Sequence, residues 1–329
     1  MRSSPGSPAP QGTPHFRANC RLQFAIENRM LAAMAEALQN VAAMFLIMAA
    51  SYILMKKSPY PVDVVNNLVF NFFLPVTVFY SVNGLQKLTA DELLIMATAG
   101  FAVTFVMALF AAGVARVCGI RDRCRKTFIL GATYGNHVFL GFPVCYAFMG
   151  ERGTILAMFF TLGGYLFLYG VGTYIMTGRM TLAAIFKNPL ILAMVAGCLC
   201  VALRFPIPSF LSHTFSLMNT ATFPLSMMVV GGGLKLRFFT DSRQMLYTVC
   251  ASAIKLAVVP LAAWGLGLAA GLAPDQLAIC VLQSAMPAAV LVTIFSVQYD
   301  ADPVFSNAIV SLTTLACMGT IPVLFLLLK

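Results

Sequence analysis

The sequence predicts an all-α polytopic membrane protein: ten transmembrane helices forming two inverted five-helix repeats, with helices 4 and 9 broken. Three observations predict it. The 329 residues are 60% hydrophobic and only 10% charged, with a mean hydropathy of +0.87, far from the balance of soluble domains. Apolar runs long enough to cross a ~30 Å hydrocarbon core at ~1.5 Å per residue recur between short polar breaks. Prolines and glycines recur in the same order in the two halves.

Residues 1–38 are different material. Ser, Pro and Gly dominate MRSSPGSPAPQGTP, and Arg17, Arg21 and Arg29 follow. Such a composition buries too little apolar surface to order itself, so a disordered N-terminal tail is expected. A targeting peptide, or a start at Met30 or Met34, is compatible with the same residues, and no function attaches to them.

The apolar runs then follow in order at 39–55, 62–82, 92–116, 126–149, 153–176, 188–204, 210–234, 244–271, 276–298 and 304–328. The first repeat is expected over 39–176 and the second over 188–328. Basic residues set the orientation, because cytoplasmic loops carry the Lys and Arg excess. One set of alternate loops holds Lys56, Lys57, Arg116, Arg121, Arg123, Arg125, Lys126, Arg179, Lys187, Lys235, Arg237 and Arg243, whereas the opposite loops and the C-terminus hold only Lys87, Arg152, Arg204 and Lys329. Both termini are therefore expected on the non-cytoplasmic side. The formal charge of +10 sits in short groups between apolar runs rather than along one face, which excludes a nucleic-acid partner. The nine cysteines form neither a disulfide framework nor a zinc spacing, and no cofactor or metal is expected.

The internal duplication is carried by residues that mark special backbone. Pro59-Tyr60-Pro61 matches Pro206-Ile207-Pro208 at an offset of 147, Pro75 matches Pro224 and Gly84-Leu85 matches Gly233-Leu234 at 149, and Pro143 matches Pro287 at 144. Five spans per copy is an odd number, so the second copy enters the membrane inverted. In transporters built this way the substrate site lies near the midplane, where Gly- or Pro-interrupted helices of the two repeats meet. The fourth and ninth spans are that pair.

The stretch YGNHVFLGFP, Tyr134 to Pro143, places two glycines, an asparagine, a histidine and a proline inside an apolar run. Irregular backbone at membrane depth survives only where it lines a cavity or is buried in protein. Proline suits the first turn of a helix, so each broken span reads as two half-helices, the second starting near Pro143 or Pro287. Their N–H groups and positive dipole ends would aim at the midplane and favour an anion. Asn136, His137, Gln283 and Ser284 supply donors and acceptors beside them, and Gly135 and Gly141 allow close backbone approach. His137 reads equally as a lining residue or a packed neighbour. Asn71, one helical turn after Asn67 and close to Pro75, faces either the pathway or a neighbouring helix. Lys255 is the one charge well inside a span, and its charge would add to an anion-attracting field, with snorkelling the competing reading. No carboxylate lies deep in any span, which argues against a carboxylate relay or a carboxylate-built sodium cage.

With these residues in place, the sequence resembles the auxin efflux carrier family of membrane transport proteins, also called PIN-like. The likeness covers nearly all of 39–328 and is carried by GNHVFLGFP, the MGERG that follows, KNPL at 187–190, ATFPLSMMVVGGGL, IKLAVVP around Lys255, and QSAMPAAV with YDADP. The resemblance implies that the proline-broken fourth and ninth helices cross. It also implies a scaffold of spans one, two, six and seven, often forming a homodimer, that carries a moving domain of the others. Export of an organic anion, auxin among them, is what such carriers do. The long cytoplasmic loop of plant plasma-membrane members is missing, since only Thr177 to Lys187 separates the fifth and sixth spans. Short-loop members include dicarboxylate carriers. The expected function is thus secondary transport, as an efflux carrier, of a small organic anion such as auxin or a dicarboxylate, with no enzymatic activity. A non-transporting membrane solute sensor and a sodium-coupled organic-anion symporter are the alternatives.

Overall fold

Helix boundaries follow local chain chemistry. A computed structural model describes residues 35, 39, 41–55, 61–82, 89–180, 182–235 and 242–328. Apart from residue 35, the expected disordered tail lies outside these residues, as do Pro59-Tyr60 and Gly84-Leu85. The first helix, α1, spans Val41–Met55, and α2 spans Val62–Val82. Helix α3 (Ala90–Val117) opens on a capping box: the Thr89 N–H donates to Glu92 Oε2 at 2.7 Å and the Glu92 N–H to Thr89 Oγ1 at 3.3 Å. Two orphan donors are satisfied reciprocally. Helix α4 covers Asp122–Gly131. Helix α5, His137–Thr177, is divided by Gly150, whose φ of 63° and ψ of −147° only glycine adopts without strain.

In the second half, α6 (Pro189–Ala202) starts on an Asn188 cap, with Leu190 N–H donating to Asn188 Oδ1 at 2.9 Å, and has a proline in its first turn. Then come α7 (Ser209–Gly232), α8 (Ser242–Ala269), α9 (Pro274–Ser284), α10 (Val290–Gln298) and α11 (Pro303–Leu328). Among the described residues, five helices are long and apolar enough to cross a membrane: α2, α3, α5, α8 and α11. That is fewer than the ten apolar runs, for physical reasons. The fourth and ninth runs are interrupted, the fourth and fifth fuse through Gly150 into α5, and α1 and α6 are short. Helix α7 dilutes its apolar residues with Ser212, His213, Asn219 and several threonines.

Three helices carry a widened π-helical turn placed the same way. The turns Val69–Phe73, His137–Gly141 and Ile254–Val258 each end two residues before a proline, namely Pro75, Pro143 and Pro260. Proline lacks an N–H and its ring collides with the carbonyl one turn back, and a π turn accommodates both. The fourth π turn, Leu168–Gly172, precedes no proline; there Thr173 Oγ1 donates to the carbonyls of Tyr169 (2.6 Å) and Gly170 (2.9 Å).

Small residues let backbones meet, as they do where membrane helices pack. A Cβ on Gly163 of α5 would stand 1.8 Å from the Ala97 carbonyl oxygen of α3, and one on Gly100 of α3 would stand 2.0 Å from that of Phe160 in α5. Helix α2 packs against both α6 and α7. Thr77 there donates to Thr222 at 2.7 Å, and Ser51 of α1 to the Met228 carbonyl at 2.8 Å. At the helix ends Arg152 pairs with Glu92 at 2.8 Å and with Asp275 at 2.5 Å, tying α3, α5 and α9, while Arg123 pairs with Asp300.

Candidate functional site: the helix crossover

Among the described residues, two buried segments leave helical geometry, 132–136 between α4 and α5 and 285–289 between α9 and α10. Both segments are buried, so each polar backbone group needs a partner. They find partners in each other. Gly135 and Ala288 form an antiparallel bridge in which the Asn136 N–H donates to the Pro287 carbonyl at 2.7 Å and the Ala289 N–H to the Tyr134 carbonyl at 3.1 Å. The Ala288 N–H donates to Thr313 Oγ1 of α11 at 3.1 Å, and Gln283 Nε2 to the His137 carbonyl at 3.3 Å. Two interrupted helices are thereby hydrogen-bonded across their breaks.

The close approach explains both glycines. A Cβ on Gly141 would stand 2.4 Å from Gln283 Oε1, and one on Gly135 would stand 2.7 Å from His137 Nε2 and 3.2 Å from Lys255 Nζ. Beside the bridge lies a cavity of about 20 Å³, lined by Gly135 to Phe139, by Ala289 to Leu291 and by Phe70 of α2. It has room for about one water. Its lining contains the first turns of both α5 and α10, neither of which has a side-chain cap, although the His137 N–H donates to the Gly135 carbonyl at 2.8 Å and the Val292 N–H to the Ala289 carbonyl at 3.0 Å.

Of the residues singled out by sequence, the structure gathers Gly135, Asn136, His137, Gly141, Gln283, Ser284, Pro287 and Lys255 at the crossover. Asn136 is buried (4% exposed), lines the cavity, and its side chain makes no hydrogen bond to a described residue. The His137 ring packs against Tyr134 and edge-on to Phe160, with centroids at 5.2 and 5.4 Å, and its Nδ1 has no partner. Gln283 and Ser284 are buried with Oε1 and Oγ unpartnered. Lys255 is wholly buried, and its Nζ donates to the Ser284 carbonyl at 2.7 Å, so the side chain does not snorkel.

Two expectations shift. Pro143 does not begin a half-helix: it sits in the α-helical turn after the π turn His137–Gly141, and the break lies earlier, at 132–136. Pro287 lies within its break, three residues before α10. Asn71 is not brought to the crossover; it is exposed and donates to the Asn67 carbonyl of its own helix at 3.0 Å. The next residue back, Phe70, reaches the cavity instead and faces Phe139, ring centroids 6.3 Å apart. Phe70 and Thr313 escaped the sequence reading because a Phe in an apolar run and a Thr on a helix carry no local signal.

A family model described as membrane transport protein matches residues 36–181 and 176–325. The chain is similar to an uncharacterized transporter of Methanocaldococcus jannaschii, 26% identical over 278 residues that cover 78% of this chain and 89% of that protein. It is also similar to an uncharacterized transporter of Methanothermobacter thermautotrophicus, 24% identical over 269 residues, covering 78% and 86%. With the family model matched along most of its length, the chain belongs to the membrane transport protein family, that of the PIN-like auxin efflux carriers.

Proposed function

We propose that the protein is a secondary transporter, working as an efflux carrier, for a small organic anion such as auxin or a dicarboxylate. One observation carries the reading: the cavity at the crossover is bordered by the starts of two helices, whose dipoles favour negative charge, and by the uncommitted amide of Asn136. An anion placed there would accept hydrogen bonds from the Asn136 side-chain amide and from helix-start N–H groups. At about 20 Å³ the cavity is closed to such a ligand, so alternating access requires the crossover to move relative to Phe70.

The proposed frame is ten membrane segments in two inverted repeats, 39–176 and 188–328, with helices 4 and 9 crossing. It is supported by two breaks of equal length, 132–136 and 285–289, that pair antiparallel about Gly135 and Ala288. Helices α1, α2, α6 and α7 would form the scaffold, and the rest would move. Both termini would face the non-cytoplasmic side, by the distribution of Lys and Arg. The lipid bilayer is its medium and the anion its partner; the homodimer rests on family resemblance alone. Uptake of labelled auxin and of malate into proteoliposomes, with and without a sodium gradient, tests the reading. Flux of at least one anion in the absence of sodium is expected, and no flux of any organic anion would sink it.

A further inference from the structure

The crossover has two electrostatic faces, and the cavity uses only one. On the other face the half-helix α9 ends at Ser284, leaving C-terminal carbonyls and a negative dipole end inside the protein. The carbonyl of Ser284 accepts from Lys255 Nζ at 2.7 Å. The same Nζ lies 3.2 Å from where a Cβ on Gly135 would stand, so it also abuts the break that follows α4. Helix ends and unwound carbonyls at such a crossing are the groups that bind a coupling cation in transporters of inverted-repeat design. Among the described residues no Asp or Glu is buried, and Lys255 is the one buried Lys or Arg. A buried ammonium needs a partner, and this one has the carbonyl end of α9 rather than a carboxylate.

We propose that the Lys255 ammonium is a tethered cation that fills the place of a free coupling cation at the crossover and makes the carrier independent of sodium. The charge is covalently held and delivered by the π turn Ile254–Val258 that precedes Pro260. The inference rests on the crossover being the transport site and not on which anion is carried. It makes Lys255 a positioning residue that neutralises the helix ends, leaving Asn136 and the helix starts to meet the substrate.

The test removes the tether and offers a loose cation. Thermal unfolding of the detergent-purified wild type, Lys255→Ala and Lys255→Met is followed in choline, sodium or n-propylammonium chloride; n-propylammonium is the fragment that the alanine variant lacks. The wild type should unfold at one temperature in all three salts. Lys255→Ala should unfold lower in choline and recover in n-propylammonium or sodium, while Lys255→Met, which fills the space without a charge, stays low in every salt. In proteoliposomes the alanine variant should lose flux by about tenfold in choline and regain it with the small cation, a size typical of coupling between sites. A sodium-stabilised wild type, an alanine variant indifferent to cations, or a methionine variant as stable and active as the wild type would each overturn the proposal. Because the unfolding arm needs no substrate, a carrier that moves neither auxin nor malate would count against the proposed function without touching this result.

Discussion

At the scale of single residues, the crossover separates side chains that hold the backbone from side chains left open. Gln283, Thr313 and Lys255 are committed to carbonyls or N–H groups of the breaks, whereas Asn136 lines the cavity without such a commitment. Asn136→Ala should therefore lower flux by about tenfold or more, the cost of losing a hydrogen bond to a charged group, with the unfolding temperature nearly unchanged. Gly141→Ala should behave differently. Its Cβ would collide with Gln283 Oε1, at 2.4 Å, so stability should fall by about 1–3 kcal/mol, as overpacking does, read as a lower unfolding temperature. The types at Gly135, Asn136 and Gly141 mark a candidate site because such residues are costly in lipid without a reason. Asn71 is ambiguous for the same reason: an amide in an apolar run reads equally as a pathway or a packing residue, and its Nδ2 donates to the Asn67 carbonyl of its own helix.

At the scale of elements, the prolines do something other than begin helices. Pro75, Pro143 and Pro260 each follow a π turn by two residues, and those turns carry Phe70, His137 and Lys255 toward the crossover. Sequence alone locates the prolines and the break only approximately, because an α start and a π turn satisfy the missing N–H equally well. Pro143→Ala would restore that N–H and let the turn tighten to α geometry, rotating His137 and Asn136. The expected outcome is reduced flux with unchanged helical content by circular dichroism. Gly163→Ala tests packing instead. With a Cβ 1.8 Å from the Ala97 carbonyl oxygen, α3 and α5 must separate, and the yield of monodisperse protein should collapse. That contact was invisible in the sequence, where Gly163 stands among many small residues and nothing names its partner.

At the scale of the whole molecule, apolar content and the spacing of runs made the all-helical membrane class readable, and the family match along most of the chain agrees with it. The pairing of the two breaks was not readable, since it needs the antiparallel approach of residues 153 apart, Gly135 and Ala288. Orientation makes its own prediction. The exposed Cys118 at the end of α3 lies among the basic residues expected in the cytoplasm. A membrane-impermeant thiol reagent should modify it only from that side, and a cysteine at the exposed Arg204 only from the other. Whether the crossover carries the anion is measured by counterflow of labelled auxin and malate. Proteoliposomes would contain equal amounts of folded wild type or Asn136→Ala. Anion flux through the wild type should stand well above that of empty liposomes and be mostly lost in the variant; equal flux through both proteins would mean that the anion does not pass through the crossover.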